Sequence, residues 1–473
     1  MRIPSTFLLL AISVPTDLDA QSGRYELGLR LRDFERQLAA CQEQPKRRAA
    51  CRQLESAVSA FFKLDLPAVA EAIDQASWSL EGRAPTDSER FAHSLDLQLA
   101  RRLVDPGSEL VDARLAAAFR TWDAEDEPLW VDGLQLWIGL AESEAEPLVV
   151  QTIDDLPMTV ELPTANLPVG DHWLTWRVQR GAEVLCERQV GLSVAKDADL
   201  RLGDLQQKLA DSDRENLEGL TAQSLFKMVR GMTRRRAQET VLPGARLLDE
   251  AEQLVAMPEG QTYYDYNRRG EFWLRVPTGK SRVSLRLLVP EGLAEDQPVP
   301  LVLALHGAGG SENLFFDGYG DGEIVRQCKQ RGWLLVAPRA GPMSRNDLGA
   351  IIEELARRYP VDQDRVFAVG HSMGAAMLTS AVAQSPERFR AVSALGGSGN
   401  IRSAGQAQTA LPPFFVAAGD RDFARQGAMS LHRNLQRRGA DSTYRDYPDT
   451  EHLTIVQLAL PDVFTFFDTH ASR

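Results

Sequence analysis

Short apolar runs, each followed closely by Gly or Pro, recur through the C-terminal part of the chain. Runs without polar alternation are typical of strands that are buried on both faces of a sheet. Segments with helical spacing lie between them, at Leu348–Tyr359 and Ala375–Gln384. This alternation predicts an α/β region with a doubly wound, mostly parallel sheet, in which ligands bind beyond the carboxyl ends of the strands. The predicted strands are Phe272–Val276, Val283–Val289, Leu301–Leu305, Leu334–Ala337, Val366–Val369, Ala391–Leu395 and Phe414–Ala418.

In the N-terminal half, the apolar residues recur at different spacings. Residues 24–100 have apolar positions at helical spacing. Leu174, Trp176 and Val178 alternate with polar residues, which predicts one strand of a hairpin, and further short strands around it suggest a small β-sandwich. We therefore divide the chain into a removable leader at 1–20, a helical region with a helix hairpin at 21–100, a β-sandwich-like accessory domain at 101–197, a helical connector at 198–258 and an α/β domain at 259–473.

The leader has the pattern of a signal peptide. Arg2 precedes an apolar run from Phe7 to Val14, and the small residue Ala20 offers a cleavage site before Gln21. The alternative is an uncleaved, disordered N-terminus, because a single Arg is a weak positive region. No segment reaches 18 consecutive apolar residues, so no membrane span is predicted. We expect export and removal of the leader, and hence a secreted or periplasmic protein.

Charge limits the classes of partner. The chain of 473 residues has a net charge of −13, whereas nucleic-acid binders usually present a basic surface. The basic run from Arg230 to Arg236 is the exception. We interpret it as the solvated face of a helix, with an anionic contact site as the alternative.

Two of the four cysteines, Cys41 and Cys51, lie on the apolar stripes of two predicted helices that Pro45 separates. An antiparallel hairpin of these helices would bring the thiols together, and in an exported protein this favours a Cys41–Cys51 disulfide. The alternative is two buried thiols. The pattern does not suit zinc, because paired CxxC motifs and neighbouring histidines are missing.

The segment "GHSMG" provides the first candidate chemistry. It follows the predicted strand Val366–Val369 and precedes the helix that begins near Ala375. A G-x-S-x-G between strand and helix is a nucleophile elbow, in which Gly370 and Gly374 allow the sharp turn that raises the hydroxyl of Ser372 above the sheet. Ser372 is therefore the candidate nucleophile.

A serine nucleophile needs a general base, and the seven histidines can be compared by position. His93 and His172 lie outside the α/β domain, and His371 is too close to Ser372 to turn back to it. His452 lies in a loop between the strand Thr443–Tyr447 and the last helix, after the candidate acids in chain order. Ser, acid and His in that order support His452 as the base. The remaining histidines are assigned to a Gly-rich loop, a helix surface and the C-terminus: His306, His432 and His470.

The acid that orients the base follows the strand Phe414–Ala418, in "GDRDF". Asp422 is favoured because it lies further out on the loop, and Asp420 remains the alternative acid or a turn former. Asp449 and Glu451 are weaker candidates that we expect to be solvated.

Acyl transfer also needs donors for the oxyanion. The Gly-rich segment "HGAGGS" follows the strand Leu301–Leu305. The backbone N–H groups of Ala308 and Met373 are the predicted oxyanion hole, and His306 would shape the loop rather than carry protons.

Residues 270–470 resemble an α/β-hydrolase of the esterase type, in the polyhydroxybutyrate depolymerase and feruloyl esterase group. The resemblance rests on the segments "LVLALHGAGGS", "GWLLVAPRAG", "VDQDRVFAVGHSMGAAM", "PERFRAVSALGG" and "AAGDRD". In that group the acid is the third residue after the glycine of a G-x-x-D turn, which here is Gly419 and implies Asp422. The chain departs from the motifs of that group at two places. Ala375 stands where the group often has a second glycine, and the segment "AAGDRD" replaces one that more usually starts with His-Gly.

These observations predict a secreted serine esterase that acts on a small-molecule or polymeric ester, needs no metal or organic cofactor, and binds no nucleic acid. The first alternative is a serine peptidase of the prolyl-oligopeptidase type. The second is a non-catalytic binding protein with an idle hydrolase domain. The Gly/Ser-rich segment 396–413 should border the site, be mobile and limit substrate size.

Overall fold

The structure, a computed structural model, describes residues 18–106, 110–119, 132–141, 146–234, 239–279, 281–341, 347–399, 401 and 410–471. Most of the predicted leader, Arg235 and Arg236 of the basic run, and much of the segment 396–413 lie outside the described residues. No described helix has the length and apolar character that crossing a bilayer requires.

The chain forms two compact units. The C-terminal unit contains Leu31–Val58 and Thr262–Arg473, and the N-terminal unit contains Thr16–Arg30 and Ser59–Gln261. The boundaries fall within the first two helices, α1 (Leu18–Ala40) and α2 (Gln44–Phe62). Residues 31–58 of the predicted helical region therefore group with the α/β region, although they lie more than 200 residues before it in sequence.

In the N-terminal unit, helices α3 (Leu66–Glu81) and α4 (Asp87–Ser94) precede eight strands. One sheet has the order β1-β3-β6 and the other the order β2-β8-β7-β4-β5. Apolar side chains of both sheets form one core, which confirms the predicted sandwich. The strands are β1 (Leu95–Leu99), β2 (Leu103–Val104), β3 (Leu110–Ala117), β4 (Leu134–Leu140), β5 (Val149–Thr152), β6 (Met158–Pro163), β7 (Gly170–Arg180) and β8 (Glu183–Val194).

The predicted hairpin is β7–β8, which pair in antiparallel register. β1 begins directly after α4, within the stretch that periodicity assigns to helix. The reason is that Leu95, Leu97 and Leu99 alternate with polar residues over only five positions, too few to stand out beside the long helical pattern. The connector contains helices α5 (Ala198–Ala210), α6 (Leu217–Met232) and α7 (Gly244–Ala256).

The sheet of the C-terminal unit has the order β16-β15-β14-β13-β11-β12-β10-β9. β9 (Gly270–Thr278) and β10 (Ser281–Val289) form an antiparallel edge, and the six other strands run parallel to one another. The parallel strands are β11 (Val299–Leu305), β12 (Leu334–Pro338), β13 (Val361–His371), β14 (Ala391–Leu395), β15 (Phe414–Gly419) and β16 (Ser442–Tyr447).

Among the described residues, five α-helices lie between these strands and a sixth follows β16, and the C-terminal unit has the predicted α/β-hydrolase fold. They are α8 (Leu314–Asp317), α9 (Tyr319–Arg331), α10 (Leu348–Ala356), α11 (Met373–Gln384), α12 (Arg425–Arg437) and α13 (Ile455–Ala471). β14 and β15 are buried throughout and β11 is buried after Val299, which explains why their sequences are continuous apolar runs. Because the parallel strands share a direction, the segments after β11, β13, β14, β15 and β16 emerge at one edge of the sheet.

The predicted Cys41–Cys51 disulfide is absent, and all four cysteines are free thiols. Cys41 follows the end of α1, whereas Cys51 is the eighth residue of α2 and therefore lies about 10 Å along the helix from its start. Cys51 is buried, and this burial raises the pKa of its thiol to about 12.

Candidate active site

Ser372 occupies a strained turn between β13 and α11. Its φ of 54° and ψ of −114° lie in a region that L-residues rarely adopt. A Cβ on Gly370 would lie 2.6 Å from the carbonyl carbon of Gly374, and one on Gly374 would collide with the carbonyl oxygen of Leu305. Glycine is therefore required at both positions of the turn, as an elbow demands.

His452 lies in the loop between β16 and α13, with its ring against the serine. His452 Nε2 is 2.9 Å from Ser372 Oγ, and His452 Nδ1 is 2.9 Å from Asp422 Oδ1. A carboxylate oxygen only accepts, so Nδ1 carries the proton and Nε2 is left to accept from the serine hydroxyl. This tautomer is the one that a general base requires.

The structure brings Asp422, rather than Asp420, to His452. Asp422 is buried, and its Oδ1 also accepts from the N–H of Ala424 at 2.7 Å. Asp420 is exposed, and its Oδ1 accepts from the N–H of Thr450 at 3.3 Å, so it braces the turn. Gly396, at φ 50°, leaves space for the pair, because a Cβ there would lie 2.7 Å from Asp422 Oδ2.

The two predicted oxyanion donors belong to backbone segments at the same edge of the sheet. Ala308 is exposed in the turn after β11. Met373 is the first residue of α11, so its N–H has no carbonyl partner within the helix. His306 holds the turn in place: its Nδ1 donates to the carbonyl of Gly307 at 2.8 Å, and its Nε2 accepts from the N–H of Ala340 at 3.0 Å.

Glu451 is not solvated as predicted, whereas Asp449 is partly exposed. Glu451 is buried and accepts from the N–H of Leu453 at 2.7 Å and from the N–H of Thr454 at 2.8 Å. Asp449 pairs with Arg48 of α2 at 2.9 Å. The expectation for Glu451 failed because its charge alone does not show that the surrounding loop buries it. Both carboxylates anchor the loop that carries His452.

Two residues to which the sequence analysis assigned no role in the site contact the imidazole of His452 or its main chain. The ring of Phe423 lies 4.3 Å from that of His452, centroid to centroid, and the Phe423 side chain is 60% exposed. His371 is buried, its ring lies 4.7 Å from that of His452, centroid to centroid, and its Nε2 donates to the carbonyl oxygen of His452 at 3.0 Å. The only feature of the sequence that pointed to either residue was its position beside a candidate site residue: Phe423 follows Asp422, and His371 precedes Ser372.

The other histidines of the C-terminal unit are bound elsewhere. His432 Nδ1 is 2.9 Å from Ser442 Oγ, and His470 Nδ1 is 2.8 Å from the carbonyl oxygen of Phe466. Within the described ranges, no group of three or more His, Cys, Asp or Glu side chains is placed to hold a metal ion.

One known protein family matches part of the C-terminal unit. The family model of the prolyl oligopeptidase family matches residues 335–410, which include Ser372. No curated protein sequence is significantly similar to this chain. Together with the sheet order and the elbow, the family match supports a serine hydrolase of the α/β-hydrolase fold.

Solved structures with low sequence identity also align with part of the chain. S-formylglutathione hydrolase (FrmB) from Staphylococcus aureus is 15% identical, with 42% of this chain and 97% of that chain covered and a TM-score of 0.36. S-formylglutathione hydrolase from Agrobacterium tumefaciens is 18% identical, with 42% and 94% covered and a TM-score of 0.34. The feruloyl esterase module from Clostridium thermocellum is 13% identical, with 45% and 93% covered and a TM-score of 0.36.

Proposed function

We propose that the chain is a serine hydrolase that cleaves carboxylic esters, with Ser372 as nucleophile, His452 as general base and Asp422 as the acid that orients the base. The observation that carries the proposal is the hydrogen-bonded chain from Ser372 Oγ through His452 to Asp422. Each of the three residues follows a different parallel strand, so the sheet itself sets their separation.

The acylation step follows from these contacts. His452 Nε2 takes the proton of the Ser372 hydroxyl as Oγ attacks the ester carbonyl carbon. The backbone N–H groups of Ala308 and Met373 hold the oxyanion that forms. When the tetrahedral intermediate collapses, the bond to the alkoxy oxygen breaks and the imidazolium returns its proton to the departing alcohol, which leaves an acyl-enzyme.

Deacylation repeats the sequence with water. His452 takes a proton from a water molecule as that water attacks the acyl carbonyl, and then returns it to Ser372 Oγ as the carboxylic acid departs. Asp422 remains a carboxylate throughout and stabilises the imidazolium in both steps. The exposed ring of Phe423 beside His452 gives the mouth of the site an apolar wall, which supports a substrate with an apolar group near the ester.

Peptide-bond hydrolysis is the second candidate, and the prolyl oligopeptidase family match favours it. The same three residues would cleave an amide, with an amine as the leaving group. Against this candidate, the described part of the N-terminal unit contains helices and two packed sheets instead of repeated propeller blades.

The test compares the unsubstituted chain with Ser372→Ala on p-nitrophenyl butyrate and on an aminoacyl anilide. We expect ester turnover, and loss of the nucleophile should lower kcat by about 10⁶-fold. Turnover of the anilide above that of the ester would favour the peptidase. Equal turnover by the two chains would contradict Ser372 as the nucleophile, and turnover by neither chain would favour a binding protein with an idle hydrolase domain.

We also propose that the protein is exported. The basis is the leader sequence before Gln21, most of which precedes the described residues. The mature protein from the periplasm or medium of a bacterial host should begin at Gln21. Retention of Met1 in a cytoplasmic product would contradict export.

A further inference from the structure

A second series of hydrogen-bonded groups, separate from the series Ser372–His452–Asp422, links Gly307, Tyr319, His371 and the main chain of His452. The Gly307 N–H lies 3.3 Å from the Tyr319 hydroxyl oxygen, which lies 2.6 Å from His371 Nδ1. His371 Nε2 in turn lies 3.0 Å from the carbonyl oxygen of His452. The proposed mechanism uses neither Tyr319 nor the ring of His371, yet both are buried between the groups that it does use.

The direction of every hydrogen bond in this series is determined. The carbonyl of His452 only accepts, so His371 Nε2 carries a proton. In a neutral ring Nδ1 then accepts, and the Tyr319 hydroxyl donates to it. The hydroxyl oxygen is left to accept from Gly307. Burial, with the charge of His452 as a smaller contribution, holds the pKa of His371 well below its ordinary value, which favours this neutral ring.

Three of the four residues in this hydrogen-bonded series adjoin or belong to the proposed site. Gly307 precedes the oxyanion donor Ala308, His371 precedes the nucleophile Ser372, and the His452 carbonyl belongs to the base itself. The space is filled as well, since a Cβ on Gly307 would lie 3.0 Å from His371 Nδ1. A shift of either buried side chain would therefore be transmitted to the backbone of all three segments.

Tyr319 is itself held in a strained turn. Its φ is 24°, and Gly320, Asp321 and Gly322 follow it in left-handed conformations. Glu35 of α1 accepts the Gly320 N–H at 2.6 Å, and the Glu35 carbonyl accepts from Gln457 Nε2 of α13 at 2.9 Å. Strained backbone persists only where its surroundings over-determine it, and here α1 supplies part of that constraint.

We propose that His371 and Tyr319 are positioning residues, which fix the main chain of His452 and the loop before Ala308 so that base and oxyanion donors keep their places around Ser372. This inference rests on the proposed function. Both side chains are buried, so their replacement should change the rate of the chemical step more than substrate binding.

The kinetic test uses Tyr319→Phe, His371→Leu and His371→Gln in the full chain. Tyr319→Phe removes one hydroxyl and keeps the ring that packs on Phe315 at 4.8 Å. His371→Leu removes both hydrogen bonds, whereas the amide of His371→Gln can still donate to the carbonyl of His452. We expect kcat to fall by about 10-fold for Tyr319→Phe and about 100-fold for His371→Leu, with KM changed less than about threefold.

His371→Gln should recover a substantial part of the kcat that His371→Leu loses, since it restores the donor. The matched control is Tyr266→Phe, which removes a hydroxyl that bonds to the exposed Glu295 and should leave kcat unchanged. Retention of kcat within twofold by both Tyr319→Phe and His371→Leu would overturn the proposal. So would an equal loss in the Gln and Leu variants, because a hydrogen bond would then not matter.

A spectroscopic readout separates this proposal from the proposed function. The Nδ1 proton of His452, bonded to Asp422, should give a far-downfield proton NMR signal that His452→Ala lacks. We expect His371→Leu to shift or broaden this signal and His371→Gln to restore it, whether or not the chain hydrolyses esters. An unchanged signal in His371→Leu contradicts the positioning role, whereas an inactive unsubstituted chain with a responsive signal contradicts only the proposed function.

Discussion

Asp422 and Asp420 lie two residues apart on the loop after β15, and the structure gives them different tasks. Asp422 is buried against His452, whereas Asp420 is exposed and braces Thr450. Replacing Asp422 by Asn removes the negative charge that stabilises the imidazolium. It also places an amide N–H donor where it can face His452 Nδ1, which favours the wrong tautomer of the base.

We expect Asp422→Asn to lower kcat by about 10⁴-fold. Asp420→Asn, the matched control, keeps an oxygen that accepts from Thr450 and should retain kcat within a few-fold. Steady-state kinetics on p-nitrophenyl butyrate provide the measurement. A larger loss from the Asp420 substitution would reverse the assignment.

Gly396 permits the contact between acid and base, because a Cβ there would crowd both Asp422 Oδ2 and His452 Nδ1. Gly396→Ala should displace the pair and lower kcat by about 100-fold. Gly203→Ala in α5 is the control, since nothing lies within 4 Å of the added Cβ. Full activity of Gly396→Ala would show that the pair tolerates displacement.

At this scale, sequence reasoning placed Ser372, His452 and Asp422 in segments that the fold brings together, because strand ends and chain order constrain them. It could not assign His371 or Tyr319. The Tyr319 hydroxyl bonds to His371, 52 residues away in the chain, and that pairing depends on the path of α9. It also took Glu451 for a solvated carboxylate, because burial of a loop depends on what packs over it.

At the scale of elements, α1 contributes a buried carboxyl group to the C-terminal unit. The pKa of Glu35 is raised to about 8, chiefly by burial; Glu451 and Asp321 contribute to the rise, whereas the Gly320 N–H and Arg32 oppose it. Oε1 of Glu35 has no hydrogen-bond partner among the described residues, which suits a protonated carboxyl. Because the folded-state pKa lies above the unfolded value, protonated Glu35 contributes stability that is complete below about pH 4 and is lost as pH rises through about 8.

Glu35→Gln should therefore lose less stability than the unsubstituted chain between about pH 5 and about pH 8. Urea midpoints at the two pH values provide the measurement, with the exposed Glu43→Gln as control. Midpoints of the Glu35 variant that change in parallel with those of the unsubstituted chain would show that Glu35 titrates normally.

Strand and helix alternation in the C-terminal half was predictable, because both faces of the sheet are covered and the strands are continuous apolar runs. The surface against which an amphipathic helix packs could not be predicted. Periodicity shows which face of α1 or α2 is buried, but the protein surface that covers this face is set by the tertiary fold.

At the scale of the whole molecule, residues 31–58 belong to the same compact unit as the proposed site. Ion pairs join α2 to the loops of the base and of the acid: Arg48 pairs with Asp449 at 2.9 Å, and Glu55 pairs with Arg421 at 3.1 Å. The resemblance that covers residues 270–470 therefore omits part of the unit that supports the chemistry.

A fragment of residues 262–473 should consequently be less stable and less active than the chain from Gln21 to Arg473. It lacks the helical segments that cover Gly320, Arg421 and Asp449. Thermal unfolding and ester hydrolysis of the two purified proteins provide the comparison. Equal melting temperatures and equal kcat would mean that the N-terminal helices are dispensable to the unit.

The central claim, that Ser372 is an activated nucleophile, is tested most directly by covalent labelling. The unsubstituted chain, Ser372→Ala and Asp420→Asn are incubated with a fluorophosphonate and analysed by intact-mass and peptide mass spectrometry. We predict one adduct per chain on the peptide that contains Ser372, loss of esterase activity in proportion to labelling, the same adduct on Asp420→Asn, and none on Ser372→Ala. Labelling of Ser372→Ala to the same extent, or an unlabelled and fully active unsubstituted chain, would contradict the account.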